Sequence, residues 1–160
     1  MDISEGVRST GEYAVWNGKE YEVGKASGEA VTLQVFAQEP PAGDWREMPR
    51  DVDRGRRFLL DVPVAELESW VAVTATARWQ DLQLGIKGVD RDGKAYGYLD
   101  ISEVQPYEQI ARAQGVRLTV QGPSWTEAEI PLSALKDVKE SKVIDLLDRR
   151  RKKSSGEAGR

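Results

Sequence analysis

The chain has 160 residues, 39% of them hydrophobic and 31% charged, with a formal net charge of -4. That length suits one ordinary domain or two small ones of about 60 residues each that gain by packing together. No apolar run approaches the roughly 20 residues of a membrane-spanning helix, and the start has neither the basic region nor the apolar core of a secretion signal, so a soluble cytoplasmic protein without a membrane partner is expected.

Residues 1 to 10 are polar and read as loose. The first strand begins near Glu12, and residues 13 to 16 and 19 to 23 flank Asn17-Gly18, a strong hairpin signal because both central residues of a type I′ turn need positive φ. A third strand, residues 31 to 36, follows the Ser27-Gly28 turn. Pro and Gly then keep residues 39 to 45 out of regular structure, and residues 40 to 55 read as the least regular stretch. Residues 57 to 62 resume a strand, which Pro63 ends by removing the ladder donor, leaving a short helical turn. In the second half, strands are expected over residues 71 to 79, 82 to 89 and 94 to 101, with Asp90-Arg91-Asp92-Gly93 as the intervening turn. Pro106 opens a short helix and Gly115 closes it. Residues 116 to 120 and 124 to 130 make the closing strands, and residues 132 to 137 a last turn. Val138, Val143, Leu146 and Leu147 give an apolar stripe on a helix from 138 to about 150.

The two halves repeat one plan. Val62-Pro63-Val64-Ala65-Glu66-Leu67 corresponds to Ile130-Pro131-Leu132-Ser133-Ala134-Leu135, and Trp16-Asn17 to Trp79-Gln80, with the offset drifting from 63 to 68 residues as insertions collect in loops. Short strands, tight turns and a helical turn after Pro describe an SH3-like barrel. The expected fold is mainly β: two tandem SH3-like barrels, over residues 11 to 69 and 70 to 137, with one short helix in the second. Residues 138 to 160 are expected to make a C-terminal helix and a disordered basic tail. One continuous sandwich is the alternative.

Charge is unevenly placed. Residues 149 to 160 carry +5 and the remainder -9, so the body suits a basic protein partner and repels nucleic acid. Arg149, Arg150, Arg151, Lys152 and Lys153 are the candidate nucleic-acid contacts, against a reading as a solvated tail. With no His and no Cys, the familiar nucleophile triads, thiol chemistry and His-based or thiolate zinc sites cannot be built, so no enzyme, cofactor or metal is expected. A carboxylate-only enzyme would need a cleft with a strongly perturbed Asp or Glu. A calcium loop on Asp90 to Gly93 fails because its first and last ligands would fall on Gly88 and Leu99.

Five tryptophans are the main functional lead. Trp16 and Trp79 hold matched places and read as core; Trp70 is expected to seal the halves, and Trp125 with Tyr107 to pack the second barrel. Trp45 sits in the Pro-rich insertion among Glu39, Asp44, Arg46, Glu47 and Arg50, a set that combines an aromatic anchor with charge, and these six are the candidate partner-binding residues.

The segments Tyr13-Ala14-Val15-Trp16-Asn17-Gly18-Lys19-Glu20-Tyr21, Ala111-Arg112-Ala113-Gln114-Gly115-Val116 and Glu129-Ile130-Pro131-Leu132-Ser133-Ala134-Leu135 resemble a family of small, mostly uncharacterised actinobacterial proteins with a duplicated SH3-like unit. Some members resemble immunity proteins that neutralise toxins. The resemblance covers about residues 12 to 137; with the acidic body, the missing catalytic residues and the Trp45 loop it leads to the expectation of a non-catalytic protein-binding module, an immunity-type inhibitor of a basic toxin. The alternative is a nucleic-acid-associated factor anchored by the basic tail.

Overall fold

A computed structural model describes residues 2–4, 6–51 and 54–150. The chain is mainly β, its strands in an open antiparallel arrangement with few helical residues. It divides into two units, each assembled from two stretches of sequence: residues 11–72 with 143 onward, and the residues before Gly11 with 73–142.

The first-half unit contains β3 (Gly11–Trp16), β4 (Lys19–Ser27), β5 (Ala30–Phe36), β6 (Arg46–Asp51) and β7 (Gly55–Pro63), paired in the order β3-β4-β5-β7-β6. Asn17 at φ 51° and Gly18 at φ 76° make the two-residue turn that pairs Trp16 with Lys19. β5 and β7 pair from Ala30 with Pro63 to Phe36 with Arg57, so Val31, Leu33 and Val62 share a face. They form the core with Ala14, Val64, Leu67, Trp70 and, from the far end of the chain, Leu147. Trp70 is thus a core residue of this unit, and its indole N–H donates to Glu12 at 2.9 Å.

The second-half unit holds the two-stranded pair β1 (Asp2–Ser4) and β2 (Val7–Arg8), then β9 (Leu82–Val89), β10 (Lys94–Leu99), α1 (Glu108–Gln114), β11 (Arg117–Val120) and β12 (Thr126–Pro131). β8 (Ser69–Trp79) begins in the first unit's sequence and ends in the second's, and β13 (Lys136–Asp145) pairs with β8. The order β8-β9-β10-β12-β11 matches β3-β4-β5-β7-β6 position for position. The endings also coincide: Pro63 and Pro131 have φ/ψ of -59°/138° and -55°/136°, and each leads into a three-residue 3-10 turn. The core gathers Ile3, Trp79, Leu84, Ile86, Leu99 and Ile130.

Several expectations are corrected. The ladders do not close as SH3-like barrels: among the described residues β6 and β11 each pair on one side only, with β7 and β12. Residues 46 to 51 are strand, not irregular, because an edge strand tolerates Pro49, whose missing N–H faces no partner; the register slips between Met48 and Asp51. Residues 136 to 145 are strand rather than helix, since pairing with β8 outweighs the weak helical spacing, and only residues 146 to 150 are helical. The described residues of the N-terminal stretch are not loose: Ile3 is buried in the second-half core, and Arg8 donates to Glu140 through its backbone N at 2.8 Å, Nε at 3.0 Å and Nη2 at 3.1 Å.

The repeated tryptophans, both expected as core, differ: Trp16 is only half-buried and packs against its core. Trp79 is fully buried and donates to Gln114 Oε1 at 2.9 Å, whereas the Trp16 indole N–H is buried with no partner among the described residues. Trp79→Phe should therefore cost about 2 kcal/mol or more, through a void and an orphaned Gln114, and Trp16→Phe less, as urea denaturation would show. The hydrogen bonds from Arg8 hold the Glu140 carboxyl below its ordinary value of 4.5. A depressed carboxylate contributes stability that is complete above its unfolded pKa and is lost as pH falls through the folded one. Stability should thus decline below about pH 4.5, and less steeply in Glu140→Gln, measured by urea midpoints across that range.

Candidate functional site

The six residues proposed from sequence lie in the first-half unit. Trp45 is half-buried, its ring 5.3 Å from that of Tyr21, which in turn lies 6.4 Å from Trp16. Arg46 and Glu47 are adjacent on β6 and point to opposite faces. Arg46 pairs with Asp61 at 2.8 Å, and Asp61 also accepts the Thr32 hydroxyl at 2.6 Å. Glu47 takes a two-pronged contact from Arg56 at 3.0 and 2.9 Å. The Thr32 hydroxyl, then Arg46, hold the Asp61 carboxyl below its usual range, and the Arg56 hydrogen bonds do the same for Glu47. Glu39, Asp44 and Arg50 are exposed. The aromatic of this set is packed, and two of its charges are engaged within the unit.

Of the basic run, Arg149 is exposed and Arg150 donates to the Gly28 carbonyl at 2.7 Å. Arg151, Lys152 and Lys153 lie outside the described residues.

A different surface presents aromatics. On β10, Ala95, Gly97 and Leu99 point inward, which sends Tyr96 and Tyr98 outward at 36% and 37% exposure. Trp125, in the turn before β12, is 38% exposed rather than packed inside as expected, and its ring meets Tyr98 edge-on at 5.0 Å and 88°. The sequence reading missed this pairing, since Tyr98 and Trp125 are brought together by the β10–β12 ladder. Tyr-Gly-Tyr on an alternating strand was the available signal: it places two aromatics on one face.

Glycines seat these rings. A Cβ on Gly88 would lie 2.4 Å from the Tyr96 hydroxyl oxygen, and one on Gly122 would lie 2.5 Å from Trp125 Nε1, so each ring lies across a residue without a side chain. The β9 register slips one residue opposite Tyr96 and Gly97, and Lys87 within that slip donates to the Tyr98 hydroxyl at 3.1 Å with its ammonium 4.8 Å from the ring centre. Across the ladder, Glu127 stands opposite Tyr98 and Glu129 opposite Tyr96. Glu127 accepts from Gln121 at 3.1 Å, and Glu129 pairs with Arg117 at 2.9 Å. A shallow open depression lined by Asp100, Ile101, Pro106, Tyr107, Pro123 and Ser124 reaches the residue before Trp125. Tyr107 itself leans on Trp79 at 5.9 Å and donates its hydroxyl to Asp81 at 2.9 Å, which raises its pKa.

The face combines apolar rings with polar edges, with Lys87 on its β9 side and Glu127 and Glu129 on its β12 side. Asp90 stays within its own turn, accepting the N–H groups of Asp92 at 2.9 Å and Lys94 at 3.0 Å. Among the described residues no group of three potential ligands could hold a metal ion, and no helix is long and apolar enough to cross a membrane. No protein-family model, curated protein or solved structure matches the chain.

Adding a methyl at residue 122 should lift the Trp125 ring while leaving the fold intact. Gly122→Ala is expected to change the near-ultraviolet circular dichroism and shift the Trp125 indole N–H resonance, with a stability loss of about 1 kcal/mol or less.

Proposed function

We propose that this chain is a non-catalytic, cytoplasmic protein-binding module whose contact surface is the outer face of the second-half unit, carrying Tyr96, Tyr98 and Trp125. The observation behind this reading is that three large aromatics stand more than a third exposed on one face beside Glu127. Exposed tyrosine and tryptophan are the residue types that anchor protein interfaces, and the surrounding carboxylates favour a basic partner. The acidic body and the absence of His and Cys from the sequence point the same way. Within this reading, and with the resemblance to immunity-like proteins, the module acts as an inhibitor that covers a basic toxin.

The test is capture from a lysate of the source organism by the intact chain, a Tyr98→Ala/Trp125→Ala variant and a Trp45→Ala variant, washed at low and high salt. A protein held at high salt by the intact chain should be retained at least about tenfold less by the double variant, since anchor truncations typically cost more than 1 kcal/mol each. Equal retention would remove this face from the function. Loss with Trp45→Ala alone would move the contact to the β5–β6 loop. Nucleic acid retained only at low salt, and lost on truncation after Asp148, would favour the tail instead.

A further inference from the structure

We infer that the aromatic face is a docking site for an extended proline-rich segment bearing arginine or lysine. This deepens the protein-binding reading of the same face and rests on it. Tyr98 and Trp125 meet at 88°, so their planes form a right-angled corner rather than a flat platform. A flat sugar ring or a run of stacked bases uses rings lying in roughly parallel planes; a corner instead fits the ridge of a polyproline II helix, whose three residues per turn give it a triangular section. Such a segment is already extended when free, so docking it costs little ordering entropy.

The corner is preformed. Gly122 beneath Trp125 and Lys87 on the Tyr98 hydroxyl and ring fix the two rings before any ligand arrives. Charge selects the rest of the occupant. Lys87 covers the β9 side of Tyr98, while Glu127 faces it from β12 and Glu129 stands next along that strand, so a cation on the ligand is directed to the β12 side. The present partners of these carboxylates, Gln121 and an Arg117 that is 72% exposed, are surface contacts that a ligand cation can replace at little cost. The depression beyond Ser124 adds Asp100 and Glu103 and no basic residue, which extends the same preference. A nucleic-acid backbone meets the opposite charge from what it needs.

The probe is a proline-rich peptide of about nine residues, three turns of the left-handed helix, carrying two arginines. It is titrated into the full chain while the Trp125 indole N–H resonance, assigned by its loss in Trp125→Phe, is followed. A saturable shift is expected, weakened about tenfold in Tyr98→Ala and several-fold when glycine replaces the peptide's prolines. Glu127→Gln/Glu129→Gln should weaken the arginine peptide and leave an arginine-free oligoproline unaffected. No saturable shift at millimolar peptide, an equal response to the glycine peptide, or preferential binding of an oligosaccharide or oligodeoxythymidine would overturn the inference. A silent peptide together with protein capture that the Tyr98→Ala/Trp125→Ala variant loses would overturn this inference alone. A silent peptide with capture unaffected by that variant would overturn the contact face as well.

Discussion

The carbonyl of Gly85 occupies the place where a side chain at residue 97 would begin: a Cβ there would lie 1.8 Å from that oxygen. Only glycine lets β10 lie this close to β9, and the slip in register beside it follows from the same contact. From that approach come the other features of the face. Ala95 and Leu99 enter the core on either side of Gly97, Tyr96 and Tyr98 are turned outward, and Lys87 is brought onto the Tyr98 ring. The hydrophobic core and the exposed aromatics are therefore two sides of one strand alternation, and neither can be altered at Gly97 without the other.

The two halves share one strand order and differ where insertions fall in it. Each repeat ends in the same proline-led turn. Between the third and fourth strands of the plan, the first half spends its insertion on a Pro-rich loop that folds Trp45 against Tyr21. The second half spends it on α1, closed by Gly115 at φ 71°, and this helix supplies Gln114 to the buried Trp79. The equivalent surface of the first-half sheet is occupied by charge pairs, Arg46 with Asp61 and Arg54 with Glu22, the latter guanidinium lying 3.8 Å from the centre of the Phe36 ring. Burial pushes the Glu22 carboxyl up, and the groups led by the Arg54 hydrogen bond outweigh it.

Each unit also borrows from the distant end of the chain. Ile3 and Arg8 complete the second-half unit, and Leu146 and Leu147 pack on the first-half core. Such contacts have high sequence separation, so neither half of the sequence cut near residue 70 contains a full core. The strand order repeats, while each unit draws on two separate stretches of the sequence.

By itself the sequence determined the features whose physics is local. Asn17-Gly18 sets its turn through positive φ, Pro63 and Pro131 stop their strands by lacking a donor, Gly115 ends its helix, and alternation marks which residues of β5, β9 and β10 point inward. Only the tertiary structure decided what depends on pairing between distant segments. The polar stretch containing Pro49 became an edge strand because β7 offered a partner, and residues 136 to 145 became a strand because β8 did. The described residues of the polar N-terminus were placed by the burial of Ile3 and by the Arg8 contacts to Glu140. Tyr98 and Trp125 became neighbours through the register of β10 on β12, while Trp45, the aromatic that local composition singled out, was drawn onto a packed cluster. Burial depends on which strands meet, and pairing energies of distant strands are not carried in any short window of residues.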